Sequence, residues 1–284
     1  MPKIFFFDID HTLLDHRSNR IPPSALEAIA SLKADGHLIA IATGRGYDYA
    51  LEYIAQVEPA YTITQNGARI LRGDTVVQHH PLSRDGLIAL FRLMAARGHA
   101  YGGTDGTNAH VSAMVDEVLA PMGSVDLRAF PSDPKDLPAS PVFQGWMFFH
   151  EDLDATLLPE LRAAFPEFDY VRWHPTALDV MPRGVHKMTG CDWVLADAGI
   201  DAAHAYAFGD GLNDLEMLQG VGTGIAMGNS HPQLLAVADR VAGAVHEDGL
   251  ARMVAELRRE FAGGNAGAGE KNGAATATAV PLES

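Results

Sequence analysis

An apolar run close to the start of the chain ends in two aspartates: FFFDIDHTLLD, residues 5–15, sets Asp8 and Asp10 just beyond a short hydrophobic segment. Side chains two apart on an extended segment point the same way, so both carboxylates share one side of the strand end. Like charges that close repel, and burying them without a partner is costly or drives one of them to hold a proton. A divalent cation, a proton or both would relieve the conflict. A solvated junction in which Asp10 caps the following turn is the alternative that this stretch alone leaves open.

Later segments add groups of matching chemistry. IAIATGRG, residues 39–46, places Thr43 directly after a second apolar strand, with Gly44 and Gly46 leaving backbone amides accessible. Open parallel sheets bind ligands beyond the carboxyl ends of their strands, where a hydroxyl and bare N–H groups can hold a phosphate. Taken alone, TGRG also fits an ordinary strand-to-helix turn. Lys187 in GVHKMTG opens a predicted helix and is a point charge suited to phosphate or to crowded carboxylates, although a single lysine also reads as a solvated surface group. AFGDGLNDLEML, residues 207–218, repeats the opening pattern: an apolar strand, then Gly209, Asp210 and Gly211, then Asn213 and Asp214 as the next helix begins. Hard oxygen ligands from several loops suit Mg²⁺, which keeps several waters and bridges a substrate phosphate. If Asp8, Asp10, Asp210 and Asp214 converge, capping alone leaves them all without a counter-charge.

Such convergence needs a scaffold that lines up strand ends. The sequence predicts strand 4–8, helix 23–35, strand 38–42, helix 47–55 and strand 61–64, an alternation of nearly continuous apolar strands with helices that marks a parallel sheet covered on both faces. A hairpin turning at 73–74 follows, then helix 83–97, strand 142–150, helix 154–165 and strands 168–174 and 177–182. Alternation returns from Lys187: helix 187–199, strand 204–208, helix 212–218, strand 223–227, helix 231–238 and helix 249–261. The expected fold class is α/β, a doubly wound parallel-sheet (Rossmann-like) core with an inserted α+β cap domain. The core would occupy 1–81 and 183–261, the cap 82–182, and a small-residue, polar tail 262–284 would be disordered.

Composition bounds the function. With 36 acidic against 21 basic residues and a formal charge of −15, the chain is not expected to bind nucleic acid broadly. A local lysine and a bound metal can still favour an anionic small substrate. No apolar run is long enough for a membrane span and no signal peptide is evident, so the expected compartment is the cytoplasm. The single cysteine, Cys191, excludes an internal disulfide and reads as a packing residue.

Read in order, DIDHT, TGR, Lys187 and GDGLND resemble the haloacid dehalogenase superfamily of phosphotransferases. The insertion between Thr43 and Lys187, with TQNGA at 64–68, is similar to the Cof-like phosphatase subgroup, which carries a large α+β cap between the second and third motifs. The resemblance covers residues 3–261. It departs at His11, where the family commonly has glycine, and at Met188, where glycine often follows the lysine.

The resemblance implies a Mg²⁺-dependent phosphatase acting on a small phosphorylated metabolite. Asp8 would be the nucleophile. Asp10 would be the general acid and base, its proton affinity raised by the neighbouring ionised Asp8. Asp8, the Asp10 carbonyl and Asp210 would hold the metal, with Asp214 contributing directly or through water. Thr43, Gly44, Lys187 and Asn213 would cradle the phosphate, and Lys187 would keep Asp8 ionised. In the cap, Arg172 or His174 would reach the leaving group, on the strand face opposite Trp173, while His11 would line the entrance and Asn66 would contact substrate or support a hinge. A sugar phosphomutase of the same fold and a catalytically silent ligand-binding protein are the alternatives.

Overall fold

The computed structural model describes residues 1–263 except 124, 126, 130–133, 135, 136 and 138. The chain opens with β1 (Ile4–Phe7), α1 (Pro23–Ala34), β2 (Leu38–Ala42), α2 (Tyr47–Val57), β3 (Tyr61–Thr64), β4 (Arg69–Arg72) and β5 (Thr75–His79). Next come α3 (Arg84–Ala96), β6 (Ala100–Thr104), β7 (Ala109–Val111), α4 (Asp116–Met122), β8 (Leu127–Ala129), β9 (Gln144–Phe148), α5 (Asp154–Ala164), β10 (Phe168–His174) and β11 (Ala177–Pro182). The last stretch holds α6 (Lys187–Ala198), β12 (Ala205–Gly209), α7 (Leu215–Gly220), β13 (Thr223–Ala226), α8 (Pro232–Val237), β14 (Arg240–Val241) and α9 (Gly249–Ala262).

Two sheets form. The larger has strand order β14-β13-β12-β1-β2-β3-β4-β5, parallel from β14 to β3 and closed by the antiparallel β4 and β5. The smaller runs β10-β11-β9-β6-β7-β8 and is antiparallel except for its last pair. Strand β1 shows why its sequence is apolar throughout. Phe5 and Phe7 pack with Ile29 of α1, Tyr53 of α2 and Leu257 of α9, whereas Ile4 and Phe6 pack with Cys191 and Val194 of α6 and Met217 of α7. A strand sandwiched between helical layers has no wet face and needs no polar alternation. Cys191 is buried in that packing, as its sequence context implied. No helix among the described residues is long and apolar enough to cross a membrane.

The sequence reading passed over β6, β7, α4 and β14. Gly102 and Gly103 interrupt β6, and β7 and β14 have only three and two residues, so neither propensity nor period marks them. Long-range pairing makes them strands. The last described helix extends to Ala262, one residue into the expected tail, of which residues 264–284 lie outside the described residues.

Close backbone approaches bring α6 to the site. At the turn after β3, Gln65, Asn66 and Gly67 all have positive φ (50°, 53° and 98°), and a Cβ on Gly67 would lie 2.2 Å from the His186 carbonyl oxygen. One turn into α6, a Cβ on Gly190 would lie 2.5 Å from Ile63 Cγ2. The two glycines seat the helix directly on β3 and its turn. Gly190→Ala is therefore expected to destabilise the protein by about 1–3 kcal/mol, read as a lower urea midpoint. An unchanged midpoint would show that this contact is not tight.

Candidate active site

Strands β12, β1 and β2 are parallel neighbours, so the residues that follow them emerge side by side: Asp210 after β12, Asp8 after β1, Thr43 after β2. The chain leaves β1 toward β2 and β3 on one side and later fills β12, β13 and β14 on the other, making β1 the point where strand order reverses. Ligand crevices of open α/β sheets lie at such points.

Lys187, fully buried at the first turn of α6, donates from Nζ to Asp8 Oδ1 and to Asp214 Oδ1, both at 2.6 Å. Asp214 Oδ2 accepts the backbone N–H groups of Asp210 and Gly211, each at 3.0 Å, and so folds the 210–214 loop against the lysine. Thr12 Oγ1 donates to Asp210 Oδ1 at 3.2 Å. One carboxylate oxygen from each of Asp8, Asp210 and Asp214 lies within 4.8 Å of the others.

Charge is crowded here. Burial, with Asp214, Asp10 and Asp210, lifts the Asp8 carboxyl well above the usual carboxylate range against the pull of Lys187. Burial and Asp214 push Asp210 up to about 7, with Thr12 and Lys187 opposing. Burial disfavours the Lys187 ammonium, but Asp214 and Asp8 more than offset that and raise its pKa. Lys187 is the group that draws the Asp8 carboxyl toward its ionised form, against burial and the three neighbouring acids. The donor set fits Mg²⁺, being all hard carboxylate oxygen with unneutralised negative charge. Asp8 and Asp210 are the side chains suited to hold it, because both Asp214 oxygens already accept hydrogen bonds.

Asp10 departs from expectation. Arg45 grips it with two bonds, Nε to Oδ2 at 2.8 Å and Nη2 to Oδ1 at 2.6 Å, and His16 Nε2 lies 2.8 Å from Oδ1. Burial pushes its pKa up, but the bonds and charge of Arg45 and His16 outweigh that and hold the carboxyl below its ordinary value. The Arg45 fork, rather than the Asp8 charge, sets its protonation state. Arg45 stands inside the TGRG motif, and His16 six residues after Asp10, but nothing in linear spacing shows that they meet a carboxylate.

A cavity of about 630 Å³ opens between the strand ends and the second sheet, lined by Asp8, Asp10, His11, Gly44, Asn66, Asp210 and Asn213 among others. Asn213 Nδ2 donates to Asn66 Oδ1 at 2.9 Å beside Gly44, where a Cβ would stand 3.2 Å from that oxygen. Thr43 does not line the cavity; fully buried, its hydroxyl accepts the Arg45 N–H at 3.1 Å and shapes the turn beneath Gly44. Arg172 and His174 do not line this cavity but an adjoining one, which shares Asn66, Trp173, Asp179 and Asn213 with it. Arg172 is held bidentately by Asp154 of α5, and His174 Nδ1 lies 3.0 Å from Thr176 Oγ1; from the same strand it is Trp173 that lines the cavity. Alternation separated the two faces of β10 correctly, but both carry polar residues, so the pattern did not say which one faces the core.

His11 lines the cavity with φ at 58°, a left-handed conformation that favours glycine. Asn229 Nδ2 donates to its carbonyl at 2.9 Å and helps to hold that turn. His11→Gly is expected to stabilise the protein by about 0.5–1 kcal/mol in a denaturant titration. A loss of stability would mean that the imidazole, tilted against the His16 ring with centroids 4.2 Å apart, contributes more than the backbone strain costs.

A model of haloacid dehalogenase-like hydrolases matches residues 5–254. YkrA of Bacillus subtilis (strain 168) is 36% identical over 257 residues, covering 90% of this chain and 97% of that one. An HMP-PP phosphatase of Serratia proteamaculans (strain 568) is 33% identical over 250 residues, 82% of this chain and 86% of its own. Among solved structures, the subclass IIB sugar phosphatase BT4131 superposes with a TM-score of 0.79 at 27% identity, covering 90% of this chain and 99% of that one. With carboxylates, lysine and second sheet placed as described, the chain belongs to the haloacid dehalogenase superfamily, in its Cof-like phosphatase subgroup, and is a phosphoric monoester hydrolase.

Proposed function

We propose that this chain is a Mg²⁺-dependent phosphatase that hydrolyses a small phosphorylated metabolite, a sugar phosphate or a phosphorylated cofactor, through a phosphoryl group carried on Asp8. The observation that carries the reading is the buried Lys187 ammonium bridging Asp8 and Asp214 with an Asp210 oxygen close by. Substrate size fits a cavity of about 630 Å³. The names of the Serratia and BT4131 relatives support the substrate class.

Lys187 holds Asp8 Oδ1 and thereby leaves the second oxygen to attack phosphorus. The bond to the leaving oxygen breaks as the Asp8–phosphorus bond forms, and water then displaces the aspartate to release phosphate. Asp10, ionised as Arg45 holds it, is suited to take the proton of that water. Delivering a proton to the leaving oxygen in the first half requires Asp10 first to take one up from solvent, which it can do when Arg45 and His16 let go of its carboxyl. The Gly44 amide and Asn213 would bind phosphate oxygens at the cavity wall, over a turn that Thr43 supports. Asp8, Asp210 and the Asp10 carbonyl would hold Mg²⁺, which when bound supplies the charge that lets an anionic nucleophile approach an anionic phosphate.

Phosphate release from a panel of phosphorylated metabolites is expected to require added Mg²⁺, to vanish in Asp8→Asn, and to fall by roughly 100-fold or more in Lys187→Ala. Wild-type turnover by Asp8→Asn would remove Asp8 as nucleophile. Isomerisation of a sugar phosphate without free phosphate would make the chain a mutase instead.

A further inference from the structure

The second sheet touches the TGRG segment through backbone. Thr104 ends β6, Ala109 opens β7, and the turn between them, residues 105–108, reaches across to Gly46. A Cβ on Gly46 would lie 3.0 Å from the Gly106 carbonyl oxygen, and the Asp48 N–H donates to that oxygen over a long 3.4 Å. The turn is held from within: Asp105 Oδ1 accepts the Thr107 and Asn108 N–H groups at 2.9 and 2.7 Å, and Thr104 Oγ1 accepts the Gly106 N–H at 2.9 Å. Gly106 has φ at 94°, and a Cβ there would meet Arg69 Nη1 at 2.9 Å and Gln65 Oε1 at 3.2 Å. Arg69, Gln65 and Gly46 of the large sheet's loops and strands therefore converge on one residue of the small one.

Gln65 carries two costs at this point. It is fully buried with neither Oε1 nor Nε2 hydrogen-bonded, and its φ of 50° is a left-handed conformation. Orphaned buried amides and left-handed residues other than glycine are unfavourable, and where they persist the surroundings have a use for them. The Gln65 backbone is committed to the site. Its N–H donates to the Arg45 carbonyl at 3.0 Å, and the next N–H, that of Asn66, donates to the Thr43 carbonyl at 3.0 Å. Gln65 thus braces both sides of Gly44 and carries the residue whose side chain grips Asp10. Neither Gln65 nor Gly106 lines the cavity.

We propose that Gln65 is a positioning residue through which the second sheet sets the loop that binds phosphate: as the sheet settles on a bound substrate, Nε2 donates to the Gly106 carbonyl, Oε1 accepts from Arg69, and the turn seats on Gly46. Each orphaned atom gains a partner that already stands beside it. The Gly106 carbonyl has a second lone pair beyond the long bond from Asp48, and the Arg69 guanidinium, flanked by the Tyr47 and Phe143 rings with its central carbon 5.6 and 5.9 Å from their centroids, has N–H groups to give. Seating the turn holds Gly44 and Arg45 where phosphate and Asp10 need them. The contact touches no leaving group, so it acts on the part that all substrates share. This assignment rests on the phosphatase reading above and concerns its rate, not its choice of substrate.

The test is steady-state phosphate release from p-nitrophenyl phosphate, glucose 6-phosphate and pyridoxal phosphate by wild type, Gln65→Leu, Gly46→Ala, the double variant and Asp8→Asn, with a urea midpoint for each protein. Gln65→Leu removes both orphaned atoms, so its midpoint is expected to match or exceed that of wild type, while kcat/KM falls by roughly tenfold or more and by the same factor on each substrate. Gly46 has φ at −65°, so alanine is unstrained there, and its methyl group is expected to hold the turn off and lower kcat/KM in the same uniform way. Because both changes break one contact, the double variant is expected to lose no more than the worse single one. Wild-type kcat/KM in Gln65→Leu, a loss confined to one substrate, or losses that multiply in the double variant overturn the assignment. So does a loss in Gln65→Leu that comes with a lower midpoint, which would make the residue a structural one. No phosphate from any compound, with Asp8→Asn indistinguishable from wild type, overturns the phosphatase reading itself.

Discussion

A lysine with no exposed surface, held by two carboxylates from distant parts of the chain, is the constraint around which this molecule is arranged. Burying a lone ammonium is prohibitive, and so is burying Asp8 or Asp214 without a cation; the three are tolerable only together. To bring them together, β1 and β12 must end level, the 210–214 loop must fold back so that backbone N–H groups hold Asp214, and α6 must come close to β3. The glycines at 67 and 190 admit that approach, and larger residues would clash with His186 or Ile63. Fold and site are in this sense one problem.

The arrangement also explains the electrostatic imbalance. One lysine faces a group of acids, and burial leaves Asp8 and Asp210 holding protons more tightly than free carboxylates do. Asp10 lies outside this tension because Arg45 and His16 satisfy it. Neighbouring aspartates, two residues apart in sequence, therefore have opposite environments, the usual way in which one site separates the roles of similar groups.

The sequence made the core legible where chemistry is local. Apolar runs ending in DID and GDGLND reveal both the strands and the acids beyond them, since burial on both faces and a carboxylate at a strand end leave marks within a few residues. What escaped depended on tertiary pairing. Arg45 was visible in TGRG, but not its reach to Asp10; β6 was hidden by its glycines. On β10 the alternation was clear, yet only α5, by supplying Asp154 to Arg172, decides that Trp173 faces the cavity.

The central claim, that the buried lysine serves an aspartate able to accept a phosphoryl group, is tested most directly by mass spectrometry of acid-quenched protein. Asp10→Asn, in which water is no longer activated, would be mixed with a phosphorylated substrate and Mg²⁺, quenched and digested. The account predicts one added phosphoryl group on the peptide containing Asp8, absent when the metal is chelated. Phosphate release by the wild type with Asp8 never modified under these conditions, or modification of another residue, would contradict it.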